Sequence, residues 1–201
     1  MDFESIQSDL KFIREVVDNN RKVFVDNGLM FIATGIIIAI GLIMNYVLAA
    51  MGLQDYIFYA WAGWIAIIIV TNMILGTKHQ NKLGKKTFAS EMFSYTWLAV
   101  GIPIMIFFVI YIAAGTPDFS AFVAATAGML GIAYFLTGYI TDSSMMKLLG
   151  GVWWIGVPFF LLWDNFSNME MLGLVFSIIV LVFQIMPGII IYRKWKRIYN
   201  G

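Results

Sequence analysis

The chain has no cysteine, and its one histidine is His79. Disulfides, thiolate metal sites and cysteine nucleophiles are excluded at once. Intramembrane hydrolysis needs a nucleophile with its base, or a metal with its ligands. A single loop histidine and no paired intramembrane aspartates supply neither. The stretch Gly84-Lys85-Lys86-Thr87 has the ingredients that end a phosphate-binding loop. It departs from that pattern twice: His79 stands where the first glycine belongs, and Lys86 separates Lys85 from Thr87. It reads as a basic loop. No catalytic residue, metal site, cofactor or nucleic-acid partner is expected.

What remains are uncharged polar groups inside apolar stretches: Asn45, Thr71, Asn72, Tyr134, Thr137 and Gln184. Their ordinary role is interhelical hydrogen bonding, worth roughly 1 kcal/mol each. Asn72, Tyr134 and Gln184 stand out because each precedes a glycine by four residues, at Gly76, Gly138 and Gly188. Leaving such groups against lipid is costly. The three are therefore expected to face one another around a common axis, as candidates for binding a small neutral or lipid-like ligand. The acids Asp55, Asp118, Asp142, Asp164 and Glu170 fall at segment ends. No ionisable group lies in mid-segment to carry a coupled proton or ion.

The elements that must position these groups follow from composition. Of 201 residues, 61% are hydrophobic and only 12% charged, against about half and a quarter in soluble domains. Six apolar segments are long enough to cross a bilayer: Leu29–Met51, Ile57–Leu75, Met92–Ala114, Phe119–Ile140, Met145–Trp163 and Met171–Tyr192. The fold class expected is all-α: a polytopic membrane protein of six transmembrane helices arranged as three αα-hairpins. Every Lys and Arg lies before the first span, after an even span, or at Lys147, while the loops after odd spans carry only acids. The positive-inside rule then places both termini in the cytoplasm. Residues 1–27 contain no basic stretch leading into a short apolar core, so the first span is expected to serve as targeting signal.

The expected organisation is a cytoplasmic helix within residues 1–27, a membrane domain over 28–192 and a basic tail over 193–201. Phe3, Ile6, Leu10, Ile13, Val17 and Phe24 repeat at helical spacing. Six acids against four bases in this segment argue against tight binding to anionic headgroups. Residues 3–24 are expected to pack on the bundle, on another copy of the chain, or on a cytoplasmic protein partner. Trp61, Trp97, Trp153, Trp163 and Trp195 lie near span ends, where indoles anchor at the interface.

The odd spans share a Gly-Ile-Pro or Gly-Val-Pro pattern at 101–103 and 156–158, with Gly35-Ile36-Ile37 as the counterpart in span one. With the glycines of the even spans, this points to a threefold repeat of one hairpin. Pro103, Pro158 and Pro187 lie inside spans, where proline frees a backbone carbonyl and kinks a helix. Span four carries Ala121, Ala124, Ala125, Ala127, Gly128 and Gly131, a small-residue face fit for the centre of the bundle or a subunit interface.

The segment from Ser8 to Arg14, six spans, and the ending Phe183-Gln184-Ile185-Met186-Pro187-Gly188 through Lys194 resemble a group of small uncharacterised bacterial inner-membrane proteins. The layout is also similar to the acid-resistance membrane protein family. The resemblance implies a multi-pass protein of the bacterial inner membrane and carries no activity. Mitochondrial carriers also have prolines in odd helices, but their charged signature is absent: Ile104-Met105-Ile106 follows Pro103. Two functions are expected: a non-enzymatic interaction, regulatory or structural protein, or a carrier or channel for a neutral or hydrophobic small molecule.

Overall fold

The computed structural model describes Gln7 and residues 28–83, 88–113, 119–163 and 169–199. The helix expected over residues 3–24 lies outside the described residues. The described chain is all-helical: α1 (Leu29–Ala50), a 3-10 turn (Gln54–Tyr56), α2 (Ile57–Leu83), α3 (Phe88–Ala113), α4 (Phe119–Ile140) and α5 (Ser144–Leu161). A sixth span follows in three pieces: α6 (Met169–Val180), a π-helical turn (Leu181–Ile185) and α7 (Met186–Tyr199). Among the described residues, six helices are long and apolar enough to cross a membrane, the architecture of a multi-pass membrane protein.

Helix ends are set by local chemistry. Gly52, with φ of 73°, closes α1, as Leu53 N–H reaches Leu48 O at 2.9 Å and Gly52 N–H reaches Ala49 O at 3.1 Å. The same paired bonds close α4, from Ser143 N–H to Gly138 O and from Asp142 N–H to Tyr139 O. Here the left-handed position is held by Asp142, with φ of 50°. Ser143 then caps α5, its hydroxyl accepting from Met146 N–H at 3.4 Å. Asp142 also meets Lys147 at 3.4 Å, but its side chain is 70% exposed, so the pair contributes little. Asp142→Gly is accordingly expected to raise thermal stability in detergent by about 0.5 kcal/mol. A loss of stability would show that the ion pair outweighs the backbone strain.

Packing centres on α4. Half of its spanning window is buried inside the bundle, against none of α2's. Val123, Ala124, Ala127, Gly131, Ala133, Tyr134 and Thr137 are all buried. The small residues admit α5: a Cβ on Gly150 would lie 2.8 Å from Gly131 O and from the backbone nitrogen of Phe135. A Cβ on Gly131 would run into the Trp154 ring, whose Nε1–H donates to Gly128 O at 3.2 Å. The two backbones touch because neither carries a side chain there.

This arrangement does not display the threefold repeat. The closest pair, α4 with α5, crosses the boundary between the second and third expected hairpins. The matched glycines also lack a shared environment. Among the described residues nothing lies within 4 Å of a Cβ on Gly76, whereas Gly138 lies on the Lys147 stem and backbone and Gly188 on Gly28 and Ile32. Two of the glycines admit different neighbours and the third none, so equal spacing in sequence did not imply equal packing. The tryptophans need a similar correction. Trp153 and Trp163 are buried, Trp153 packing on Phe176 and Phe183 at 5.9 and 5.8 Å between ring centroids. Trp97 packs on Phe31 at 5.4 Å. These rings build the core in place of anchoring at the interface.

Candidate functional site

The sixth span is where local sequence rules fail most visibly. Pro187 has no N–H to give Phe183 O four residues earlier, and its ring collides with that carbonyl in a regular helix. The chain responds by widening into the π turn at Leu181–Ile185. The Phe183 carbonyl, deprived of a helical donor, needs one from elsewhere. Tyr134 on α4 supplies it: its hydroxyl lies 2.9 Å from Phe183 O and 2.9 Å from Gln184 Oε1.

One phenolic proton cannot serve two acceptors. The oxygen and nitrogen of a glutamine amide are interchangeable in shape. With the amide turned over, Gln184 Nε2–H donates to the Tyr134 oxygen, and Tyr134 O–H donates to Phe183 O. That chain satisfies all three groups. It is sealed from lipid, since Tyr134 is 0% and Gln184 4% exposed. α1 completes the enclosure: a Cβ on Gly35 would lie 2.8 Å from Gln184 Cγ, and Gly28 and Gly188 meet backbone to backbone just beyond. Phe31 and Trp97 cover the Tyr134 ring at centroid separations of 6.1 and 5.7 Å.

Two of the three expected site residues thus come together, and the third does not. Asn72 is half-buried between α2 and α1, where its Oδ1 accepts from the Thr34 hydroxyl at 3.2 Å and its Nδ2–H donates to Ile68 O at 3.0 Å. Thr34 and Gly35 are consecutive, so Asn72 and Gln184 sit at one level on different faces of α1. α2 packs chiefly on α1, and the bonds of Asn72 go to Thr34 and Ile68 and not to the Tyr134–Gln184 pair. The expected ring of three is corrected to a pair, with α1 standing between that pair and Asn72.

Around the pair are buried polar atoms that no other described group satisfies: Trp97 Nε1, Trp153 Nε1 and Thr137 Oγ1. Thr137 follows Tyr134 by one turn of α4, and the Trp153 ring touches that of Phe183. Sequence reasoning missed the Phe183 carbonyl and Gly28, and read Gly35 only as a member of the repeat. The signal for the first was available: a proline inside a span marks the carbonyl four residues before it as an acceptor seeking a donor. Among the described residues, no group of three or more His, Cys, Asp or Glu gathers to hold a metal ion. In comparisons with known proteins, the chain matches no family model, no curated protein and no solved structure.

Proposed function

We propose that this is a non-enzymatic integral protein of the bacterial inner membrane, working through interaction, regulation or structure and not through turnover. The observation that carries the reading is the Tyr134–Gln184 pair. The polar groups best placed to receive a ligand are buried and bonded to each other and to Phe183 O. Both termini are taken as cytoplasmic from the one-sided placement of Lys and Arg. Residues 3–24 are then the segment offered to a cytoplasmic partner or to a second copy, on the same side of the membrane as the basic tail. Its kin are the small six-span bacterial inner-membrane proteins that it resembles in sequence.

A second reading, a carrier or channel for a neutral or hydrophobic molecule, draws on the unsatisfied Trp97, Thr137 and Trp153 atoms around the pair. Buried polar atoms without partners are costly, and a passing ligand would satisfy them. Stopped-flow light scattering on proteoliposomes challenged with urea, glycerol and water separates the two. Permeability equal to that of protein-free vesicles is expected, and a protein-dependent flux would favour the carrier.

The orientation has its own test. The chain has no native cysteine, so single cysteines report without background. A membrane-impermeant maleimide is expected to label Asp55→Cys in intact cells, and to label Lys196→Cys only after lysis. The reverse pattern would overturn the topology.

A further inference from the structure

Two helices continue past their apolar segments. α2 runs to Leu83, although its spanning segment ends at Thr77. α7 runs to Tyr199, although the apolar run ends at Tyr192. At 1.5 Å per residue each extension reaches about 10 Å beyond the apolar boundary. That distance spans the headgroup layer, which adds roughly 5–8 Å on each side of the hydrocarbon core.

Both extensions are cationic and contain no acid. The first carries Lys78 and Lys82, one helical turn apart; the second carries Arg193, Lys194, Lys196 and Arg197. Arg193 and Lys196 are exposed. Because α1 packs against both α2 and the sixth span, with Gly28 on Gly188, the two extensions emerge on one side of the bundle, flanking the start of α1. Two acids are described on this side. Asp142 is already engaged by Lys147, and Glu91 lies in the first turn of α3. Among the described residues, that leaves Glu91 on this side against the six cations of the extensions. Tyr192, Trp195 and Tyr199 recur at helical spacing in the second extension, the residue types that settle among headgroups.

We propose that residues 78–83 and 193–199 form a binding surface for anionic phospholipid, with phosphodiester oxygens meeting the Lys and Arg side chains. Lipid is the occupant because the cations are carried on helical continuations of membrane-spanning helices, next to the headgroup layer. A tail reaching an acidic protein would need no such continuation of the spans. The inference stands apart from the functional reading above and holds whichever side of the membrane this end faces.

The test uses the full-length protein reconstituted in phosphatidylcholine vesicles containing trace spin-labelled phosphatidylglycerol or phosphatidylcholine. Electron paramagnetic resonance then measures the lipid fraction immobilised by the protein. A preference for phosphatidylglycerol of roughly fivefold is expected at low salt, falling towards unity as salt is raised. The variant R193Q/K194Q/K196Q/R197Q is expected to lose most of it, and K78Q/K82Q a smaller part, while R193K/R197K keeps it. The salt titration of the unmodified protein needs no variant to fold. Equal immobilisation of the two lipids, a preference indifferent to salt, or one retained in the quadruple variant would overturn the proposal. Abolition by millimolar inorganic phosphate at constant ionic strength would point to a free-anion site and overturn it as well.

Discussion

Gly150→Leu is expected to be the most damaging single substitution among those the packing singles out, at about 3 kcal/mol of destabilisation. A Cβ at this position would lie 2.8 Å from Gly131 O and from Phe135 N. Both are backbone atoms of α4, held by helical hydrogen bonds, so neither can yield as a side chain would. Leucine must therefore wedge α4 from α5, exposing the Trp154 contact with Gly128 O and loosening the most enclosed helix. Gly151→Leu is the internal control, since nothing lies within 4 Å of a Cβ there. The two variants have the same composition and differ only in the face they change. Thermal unfolding in detergent, followed by tryptophan fluorescence, is expected to place Gly150→Leu about 10 °C below the parent and Gly151→Leu close to it. Equal losses would mean that α4 and α5 do not meet at Gly131.

The second large effect concerns Tyr134 and Pro187 together. Tyr134→Phe leaves the Phe183 carbonyl and the Gln184 amide without a partner in the core, a loss of about 1–2 kcal/mol. Pro187→Ala returns a backbone N–H to the chain, and with it the helical donor that Phe183 O lacks. The hydroxyl of Tyr134 then matters less. A double-mutant cycle is expected to show Tyr134→Phe costing about 1 kcal/mol less in the Pro187→Ala background than in the parent. Strict additivity would show that the phenol serves no role created by the proline. The remaining cost in the alanine background measures the bond to Gln184.

Much of this molecule was legible in the sequence because membrane constraints act on composition. The six spans follow from runs of apolar residues, and α4 as the central helix follows from Ala124, Ala127 and Gly131. Tyr134 and Gln184 could be chosen as inward groups because hydrocarbon offers them no partner. Their pairing could not. It depends on Pro187 displacing a hydrogen bond at Phe183, then on α4 lying beside the π turn, a tertiary fact with no local signature. Asn72 was misplaced for the converse reason. Its distance from Gly76 matches the other two, but spacing along a helix fixes depth and leaves the neighbour open. Thr34 on α1 satisfies Asn72 first. The tryptophans failed in the same way: Trp153 and Trp163 lie near span ends, yet their rings turn inward, Trp153 onto Phe176 and Phe183 and Trp163 onto Phe159.

The bundle packs around α4, and its best-placed polar groups, Tyr134 and Gln184, hold the sixth span at its π turn. Electron cryomicroscopy of the protein in lipid nanodiscs tests this most directly, at the gap between Tyr134 and the Phe183–Gln184 segment. The expected map shows the phenol oxygen within hydrogen-bond reach of Phe183 O and the Gln184 amide, with protein density alone between α4 and the sixth span. A bound molecule separating Tyr134 from Gln184, its polar atoms on the Trp97, Thr137 or Trp153 groups, would contradict the closed core and make the carrier the better reading.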